Sequence, residues 1–339
     1  MFLRNLGKTA VRVTEIGFGG APLGNLFAVV TEQDAEASLK QSWDSGCRFF
    51  DTAPFYGYGL SERRVGDALR EKPREQYVLS TKVGRLIRPG TAGRGGGTDF
   101  QSPMPFRAAF DYSYDATMRS FEDSLQRLGL DRIDVALIHD IGRDWHGDNQ
   151  PEIFRKAMAG SAKALAELKA AGKVAAIGIG VNEADVCLDA LHAADFDCFL
   201  LAGRYTLLEQ EPLDKLFPAC QKQNVSIIVG GAFNSGLLAR VGLPDATYNY
   251  GAVPPEIAKR AAALHEVCAH HNVPLPAAAL QFPFGHPVVA SVIPGARNAA
   301  EVASHWQWAR MKIPAALWED LRGRGLLHRE APAPQGPIL

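Results

Sequence analysis

Short, continuously apolar runs alternate along this chain with longer segments whose apolar positions recur at helical spacing. The runs "TEIGFGGAP", "CRFFDTA", "QYVLSTKVG", "RIDVALIHD", "VAAIGIGVN", "FDCFLLAGRY", "VSIIVGGAF" and "VVASVIPGA" lack the in–out alternation of half-exposed strands. They read as parallel strands covered on both faces. Between them, Thr31 is placed to cap "EQDAEASLKQSWDSG", which stops at Gly46, and Ser61 to cap "SERRVGDALRE". "YDATMRSFEDSLQRLG" ends at Gly129, and one long helix runs from Pro151 to Gly172. With a hairpin turning at Gly7 ahead of them, eight βα units in series predict a (β/α)₈ TIM barrel, one domain over 1–339. A doubly wound sheet is the rival, disfavoured by the regular eightfold count.

Two stretches break the rhythm, 85–111 and 234–253. Both follow strand C-termini, the face on which barrel active sites lie, and are expected to be substrate loops, with disorder the alternative. The tail "REAPAPQGPIL" is expected to be loosely held, though placed where it could cap the barrel mouth.

Composition adds mostly exclusions. A formal net charge of -1, with no Lys/Arg-rich block, gives no field for nucleic acid. No apolar stretch approaches the ~18 residues of a membrane span, and the N-terminus lacks a signal-peptide layout. Five cysteines without a C-x-x-C pair suggest reduced thiols and a cytoplasmic protein. The fragments "GFGGAP", "GIGVNE" and "GRGGGT" never complete G-x-G-x-x-G before a helix, "LGKTA" lacks the rest of a P-loop, and "HEVCAH" sets His265 and His270 off a common face. Neither a Rossmann site nor a metal site is expected.

Four residues at strand ends do carry chemistry: Asp51, Tyr56, Lys82 and His139. A phenol ionises near ~10 in water; a neighbouring ammonium would draw it toward phenolate, an acid would hold that ammonium, and an imidazole would orient the reacting oxygen. Singly, each has a plainer explanation: a rim aromatic, a structural ion pair, a core histidine. Together they suit proton transfer between a carbonyl and an alcohol beside a hydride carrier.

Through "LGKTAVRVTEIGFGG", "FFDTAPFYGYGLSERRVGDAL", "LSTKVG", "DVALIHD" and "SVIPGARN", essentially the whole chain resembles the aldo-keto reductase superfamily. That resemblance implies a barrel, nicotinamide chemistry, and Asp51, Tyr56, Lys82 and His139 as catalytic tetrad. It implies a carboxamide contact at Asn182 and a pyrophosphate-binding stretch at Gly231, Phe233, Asn234, Ser235, Gly236 and Leu237. It places Gly295, Arg297 and Glu301 at the adenosine end, where relatives preferring NADP often carry lysine and arginine at 295 and 301. Glu301 would repel a 2′-phosphate, so NAD is favoured, with NADP left open by Arg297. "GFGGAPLGNL", "LIHDIGRD" and "LAGRYTLLEQ" look like the sugar-oxidising branch, which implies oxidation of an aldose C1 hydroxyl (L-fucose, D-arabinose or L-galactose type) to a lactone. Phe55, Trp145 and His146 are the expected pocket walls. The alternatives are a pyridoxal 4-dehydrogenase or general aldehyde/ketone reductase, and a nucleotide-sensing subunit of an ion channel. The expected partner is a small sugar or aldehyde, with the chain a monomer or weak homo-oligomer.

Overall fold

A computed structural model describes residues 2–90, 100–242 and 246–338. Eight parallel strands form its centre, in the order β3 (Phe18–Gly19), β4 (Phe49–Asp51), β5 (Val78–Val83), β8 (Val135–His139), β9 (Ala176–Val181), β10 (Cys198–Ala202), β11 (Ser226–Gly230) and β12 (Val289–Val292). The sheet closes on itself: Gly17 N–H donates to Val292 O at 2.9 Å and Gly19 N–H to Pro294 O at 3.1 Å. This is the (β/α)₈ barrel the apolar runs predict. The initial hairpin, β1 (Leu3–Asn5) with β2 (Arg12–Thr14), brings Leu6 and Val13 into contact with Val135, Ala176, Cys198 and Ile228 from the barrel interior. It closes the N-terminal end and leaves the other end open.

The surrounding helices are α1 (Glu32–Asp44), α2 (Leu60–Leu69), α3 (Tyr114–Leu128), α4 (Arg143–His146), α5 (Gln150–Ala157), α6 (Lys163–Ala170), α7 (Ala184–Ala193), α8 (Leu216–Gln223), α9 (Pro255–His270), α10 (Leu275–Gln281), α11 (Ala299–Arg310) and α12 (Ala315–Gly323). Thr31 caps α1 as expected, its side chain accepting from Asp34 N–H, and Gly129 closes α3 in the left-handed region. Ser61 does not cap α2. Gly59 does, with φ 95°, because the Ser61 hydroxyl turns inward to donate to Gly20 O at 2.7 Å. The long helix from Pro151 is interrupted by a π turn at Met158–Ala162.

Residues 85–111 are not merely a loop. β6 (Arg85–Pro89) pairs antiparallel with β7 (Phe106–Phe110), a ribbon rising from the open end; its tip, 91–99, lies outside the described residues. In the other insertion, Thr247 pairs with Gly236, and Thr247 Oγ1–H donates to Ser235 O at 2.8 Å. The tail does not cap the mouth. Ile338 N–H donates to Ala309 O at the C-terminus of α11, and Pro332 packs against Gly285, which precedes β12. Both positions belong to the end opposite the site, and burial of Ala331 and Ile338 holds the tail there.

Candidate active site

Asp51 ends β4, Lys82 lies in β5 and His139 ends β8, so strand termini place all three at the open end. Lys82 Nζ donates to Asp51 Oδ2 at 2.7 Å and to Thr52 O at 2.9 Å, while Ser80 Oγ–H donates to Asp51 Oδ1 at 2.6 Å. The glycine at 180 makes room for the lysine stem, since a Cβ there would stand 3.3 Å from Lys82 Cε. Tyr56, in the turn after β4, has its ring centroid 4.7 Å from Lys82 Nζ and 5.9 Å from the His139 ring. The four residues are brought together as the sequence predicts.

Their electrostatics differ from expectation in one respect. The Tyr56 phenol is held well above its ordinary pKa, first by burial and then by the charge of Asp51. Lys82 is already paired with Asp51, so it does not draw the phenol toward neutrality. Burial likewise pushes the Asp51 carboxyl up, opposed by Lys82 and Ser80. Burial, helped by Arg85 and Lys82, holds His139 well below the usual histidine value, and the imidazole is neutral. Its Nδ1 is buried without a hydrogen-bond partner among the described residues.

A cavity of about 150 Å³ opens over these groups. Phe55, Phe100, Trp145 and Leu26 form one wall, and Asn182, Val181, Leu200 and Ala202 line the side above β9 and β10. Phe55 packs edge-on against Phe100 at 5.2 Å and Trp145 at 5.6 Å. Of the three expected walls, Phe55 and Trp145 stand in place. His146 does not: its Nε2 lies 2.9 Å from Asp140 O and 3.1 Å from the Tyr112 hydroxyl, so it braces the backbone behind the cavity.

The residues expected to hold a dinucleotide form a band along the same rim. Asn182 Nδ2–H donates to Ala202 O at 3.3 Å, and Asn234 Nδ2–H to Gly203 O at 3.2 Å, joining the ends of β9, β10 and β11. Phe233 then packs on His305 and Trp308 of α11, the helix that carries Glu301 and that Arg297 precedes. Backbone N–H groups in the turn are less available than expected: those of Asn234, Gly236 and Leu237 bond to Gly231, Phe233 and Asn234 carbonyls, and the Leu237 side chain points into the core. The Phe233 and Ser235 N–H groups are not among those so bonded, and the Ser235 hydroxyl, which accepts from Tyr250 N–H, keeps its own proton to donate. At Gly295 a Cβ would meet Pro22 at 2.6 Å, so this junction has no room for a lysine. Glu301 is not a lone carboxylate: it accepts from Arg297 Nε at 2.9 Å and from Arg297 N–H at 2.8 Å. Backbone and hydroxyl donors at the turn and an acid at the far end suit a dinucleotide laid along the rim.

The sequence does not single out Phe100, Tyr250 or Asp140, which line the cavity, or Arg85, which packs behind its Phe55–Trp145 wall. Phe100 and Tyr250 come from the two insertions, which the sequence places at the mouth as substrate loops without showing which of their side chains enter it. Asp140 follows His139 directly, and Arg85 follows "TKVG"; their adjacency to tetrad residues was the available signal.

Comparison with known proteins agrees with this geometry. Residues 15–323 match the model of the Aldo/keto reductase family. The chain is 45% identical to pyridoxal 4-dehydrogenase of Microbacterium luteolum over 96% of its own length and 97% of that protein's. It is 40% identical to D-threo-aldose 1-dehydrogenase of a Pseudomonas species, covering 91% and 93% respectively. Among solved structures, the holo form of aldo-keto reductase AKR11C1 from Bacillus halodurans superposes with a TM-score of 0.72 at 27% identity, over 99% of this chain and 98% of that one. A tyrosine, lysine, aspartate and histidine gathered at the mouth of a closed barrel, with a match over nearly its whole length, make this chain a member of the aldo/keto reductase family of oxidoreductases.

Proposed function

We propose that the chain oxidises a cyclic hemiacetal to its lactone with a nicotinamide cofactor, NAD in preference to NADP. Aldoses close onto their own hydroxyls, and pyridoxal closes its aldehyde onto the neighbouring hydroxymethyl, so the relatives' named substrates share one reacting group. The bound nicotinamide supplies a hydride acceptor. Tyr56 exchanges the hydroxyl proton at its phenol oxygen: as the protonated phenol it donates in carbonyl reduction, and in oxidation its phenolate, formed by loss of a proton to solvent, accepts the proton that the hydroxyl gives up as hydride leaves. Lys82, fixed by Asp51, holds positive charge beside that oxygen. His139, neutral, donates from Nε2–H to the substrate oxygen, because a proton on Nδ1 would be a buried donor with no acceptor.

Between the two substrate classes, the wall of Phe55, Phe100 and Trp145 supports a flat aromatic ring, and pyridoxal is placed first. Asn182 and Tyr250 supply polar edges for hydroxyls and support the second reading, an aldose of the L-fucose, D-arabinose or L-galactose type. The preference for NAD rests on the Arg297–Glu301 pair: a 2′-phosphate would have to break it, whereas ribose hydroxyls can donate to the carboxylate.

Reduced-nicotinamide absorbance with pyridoxal, L-fucose, D-arabinose and L-galactose, each with NAD and NADP, tests this reading. Expected is lactone formation with kcat/KM for pyridoxal at least about tenfold above any aldose, the worth of roughly 1.4 kcal/mol of differential binding. The reverse order would favour the aldose reading. No lactone from any of the four would overturn the function.

A further inference from the structure

The mechanism above leaves one buried ion pair unexplained. Arg85, at the start of β6, pairs with Asp140 Oδ2, and the two side chains are 3% and 6% exposed. The guanidinium carbon lies 3.7 Å from the Phe55 ring centroid, 4.0 Å from that of Trp145 and 4.4 Å from that of Phe110, an aromatic box that fixes its direction. Asp140 lines the catalytic cavity, and its Oδ2 stands 3.4 Å from His139 Nε2. Its backbone is held in the left-handed region at φ 51°, an unusual state for a residue with a side chain. Tyr112 O–H, donating to the carbonyls of both His139 (2.9 Å) and Asp140 (2.8 Å), and Asp140 N–H, donating to Gly180 O, keep it there. Desolvating a carboxylate at the substrate's doorstep is costly unless it is used.

We propose that Asp140 is a specificity-determining residue that accepts a hydrogen bond from a substrate hydroxyl next to the reacting carbon, with Arg85 as its positioning residue. This rests on the hemiacetal reading. His139 holds the reacting oxygen, so a carboxylate oxygen beside Nε2 meets whatever substituent neighbours that oxygen. In an aldose this is the C2 hydroxyl; in pyridoxal it is the ring hydroxyl at C3. Both close contacts of Asp140 fall on Oδ2, leaving Oδ1 for the ligand. A carboxylate can only accept, so it selects a donor and rejects a substrate that lacks one. The charged and titratable groups facing the pair are Arg85 from β6, Lys82 from β5, Tyr56 from the turn after β4, Tyr250 from the second insertion, His139 itself, and Tyr112 and His146 behind. Burial pushes the Asp140 carboxyl up, and the Arg85 guanidinium in ion-pair contact opposes that and favours the carboxylate.

The test is a cycle of variants against matched substrates: pyridoxal with 3-deoxypyridoxal, and L-fucose with 2-deoxy-L-fucose. The unaltered enzyme is expected to prefer the hydroxylated member by about 10- to 100-fold in kcat/KM, the worth of a hydrogen bond to a charged group. Asp140→Asn suits the left-handed backbone, since asparagine enters that region readily. Arg85 claims the amide oxygen and turns the NH2 toward the substrate, where it gives the hydroxyl oxygen only a neutral hydrogen bond, so the preference should fall by at least about threefold. The charge-free pair Arg85→Met with Asp140→Leu leaves no lone buried charge and no polar group for the hydroxyl, and should bring the preference below about threefold. Affinity for the lactone of pyridoxal and its 3-deoxy analogue, measured by calorimetry with NAD bound, gives the same comparison without turnover. A preference undiminished in folded Asp140→Asn, one that persists in the folded double variant, or one absent from the unaltered enzyme overturns the assignment. If none of the substrates turns over, it is the hemiacetal reading that has failed, and the lactone affinities judge Asp140 separately.

Discussion

Replacing Asp51 by asparagine should destabilise the protein well beyond the cost of a surface charge. Its carboxylate and the Lys82 ammonium are 2% and 1% exposed and 2.7 Å apart. At that depth, removing one partner strands the other charge, which typically costs about 3–5 kcal/mol. The amide keeps one acceptor for Lys82 or for Ser80, not both in their present strength. For a chain of this length the unfolding entropy is roughly 0.7 kcal/mol per kelvin, so Tm should fall by about 4–7 °C. Differential scanning calorimetry reads this directly. Asp51→Asn combined with Lys82→Met removes both charges, and should recover at least about half of the lost Tm while remaining catalytically poor. A single variant melting within about 1 °C of the parent would refute the reasoning, as would a double variant whose loss is the sum of the two singles.

Because burial raises the Tyr56 pKa, the phenol stays protonated through neutrality, and the oxidation rate should keep climbing with pH past the ordinary phenol value of ~10; a plateau between pH 6 and 8 that disappears in Tyr56→Phe would contradict this, in a stopped-flow pH profile of hydride transfer. Glu301→Ala removes the carboxylate that would repel a 2′-phosphate, and should lower the ratio of kcat/KM for NAD over NADP by about tenfold or more; an unchanged ratio would place the adenosine ribose elsewhere. His305, buried on α11, has its pKa depressed to about 4, below that of the unfolded chain. The unfolded state therefore binds the extra proton between about pH 6.5 and 4, and stability falls over that window by on the order of 3 kcal/mol, with His305→Gln flattening that part of the urea-denaturation pH profile.

Much of the barrel was legible because burial on both faces forces a strand to be apolar throughout, and each of the eight strands leaves such a run. The tetrad was legible because chemistry at the end of a parallel strand stays close in sequence to that strand: Asp51 and Tyr56 share one motif, and Lys82 and His139 each end another. Long-range pairings left no such trace. Nothing local shows that Arg85 meets Asp140, that Ser61 turns inward to Gly20 instead of capping its helix, or that Ile338 docks on Ala309. The ribbon β6–β7 hid because antiparallel pairing satisfies its backbone with little apolar burial, so "RLIRP" carries no strong alternation. His146 misled for a related reason: it adjoins Trp145 in sequence, but its ring turns back to the Asp140 carbonyl rather than into the cavity. The Tyr56 acidity was misjudged because adjacency of Lys82 was visible in the motifs, whereas the desolvation of the site was not.

The most direct measurement is single-turnover hydride transfer to NAD from the hemiacetal of pyridoxal, comparing the unaltered protein with Tyr56→Phe. The two should bind the cofactor alike and melt within a few degrees of each other, while the variant loses about 10²–10⁴ in rate, the usual worth of a positioned acid–base group. A folded Tyr56→Phe protein that transfers hydride within about threefold of the unaltered rate would contradict the account.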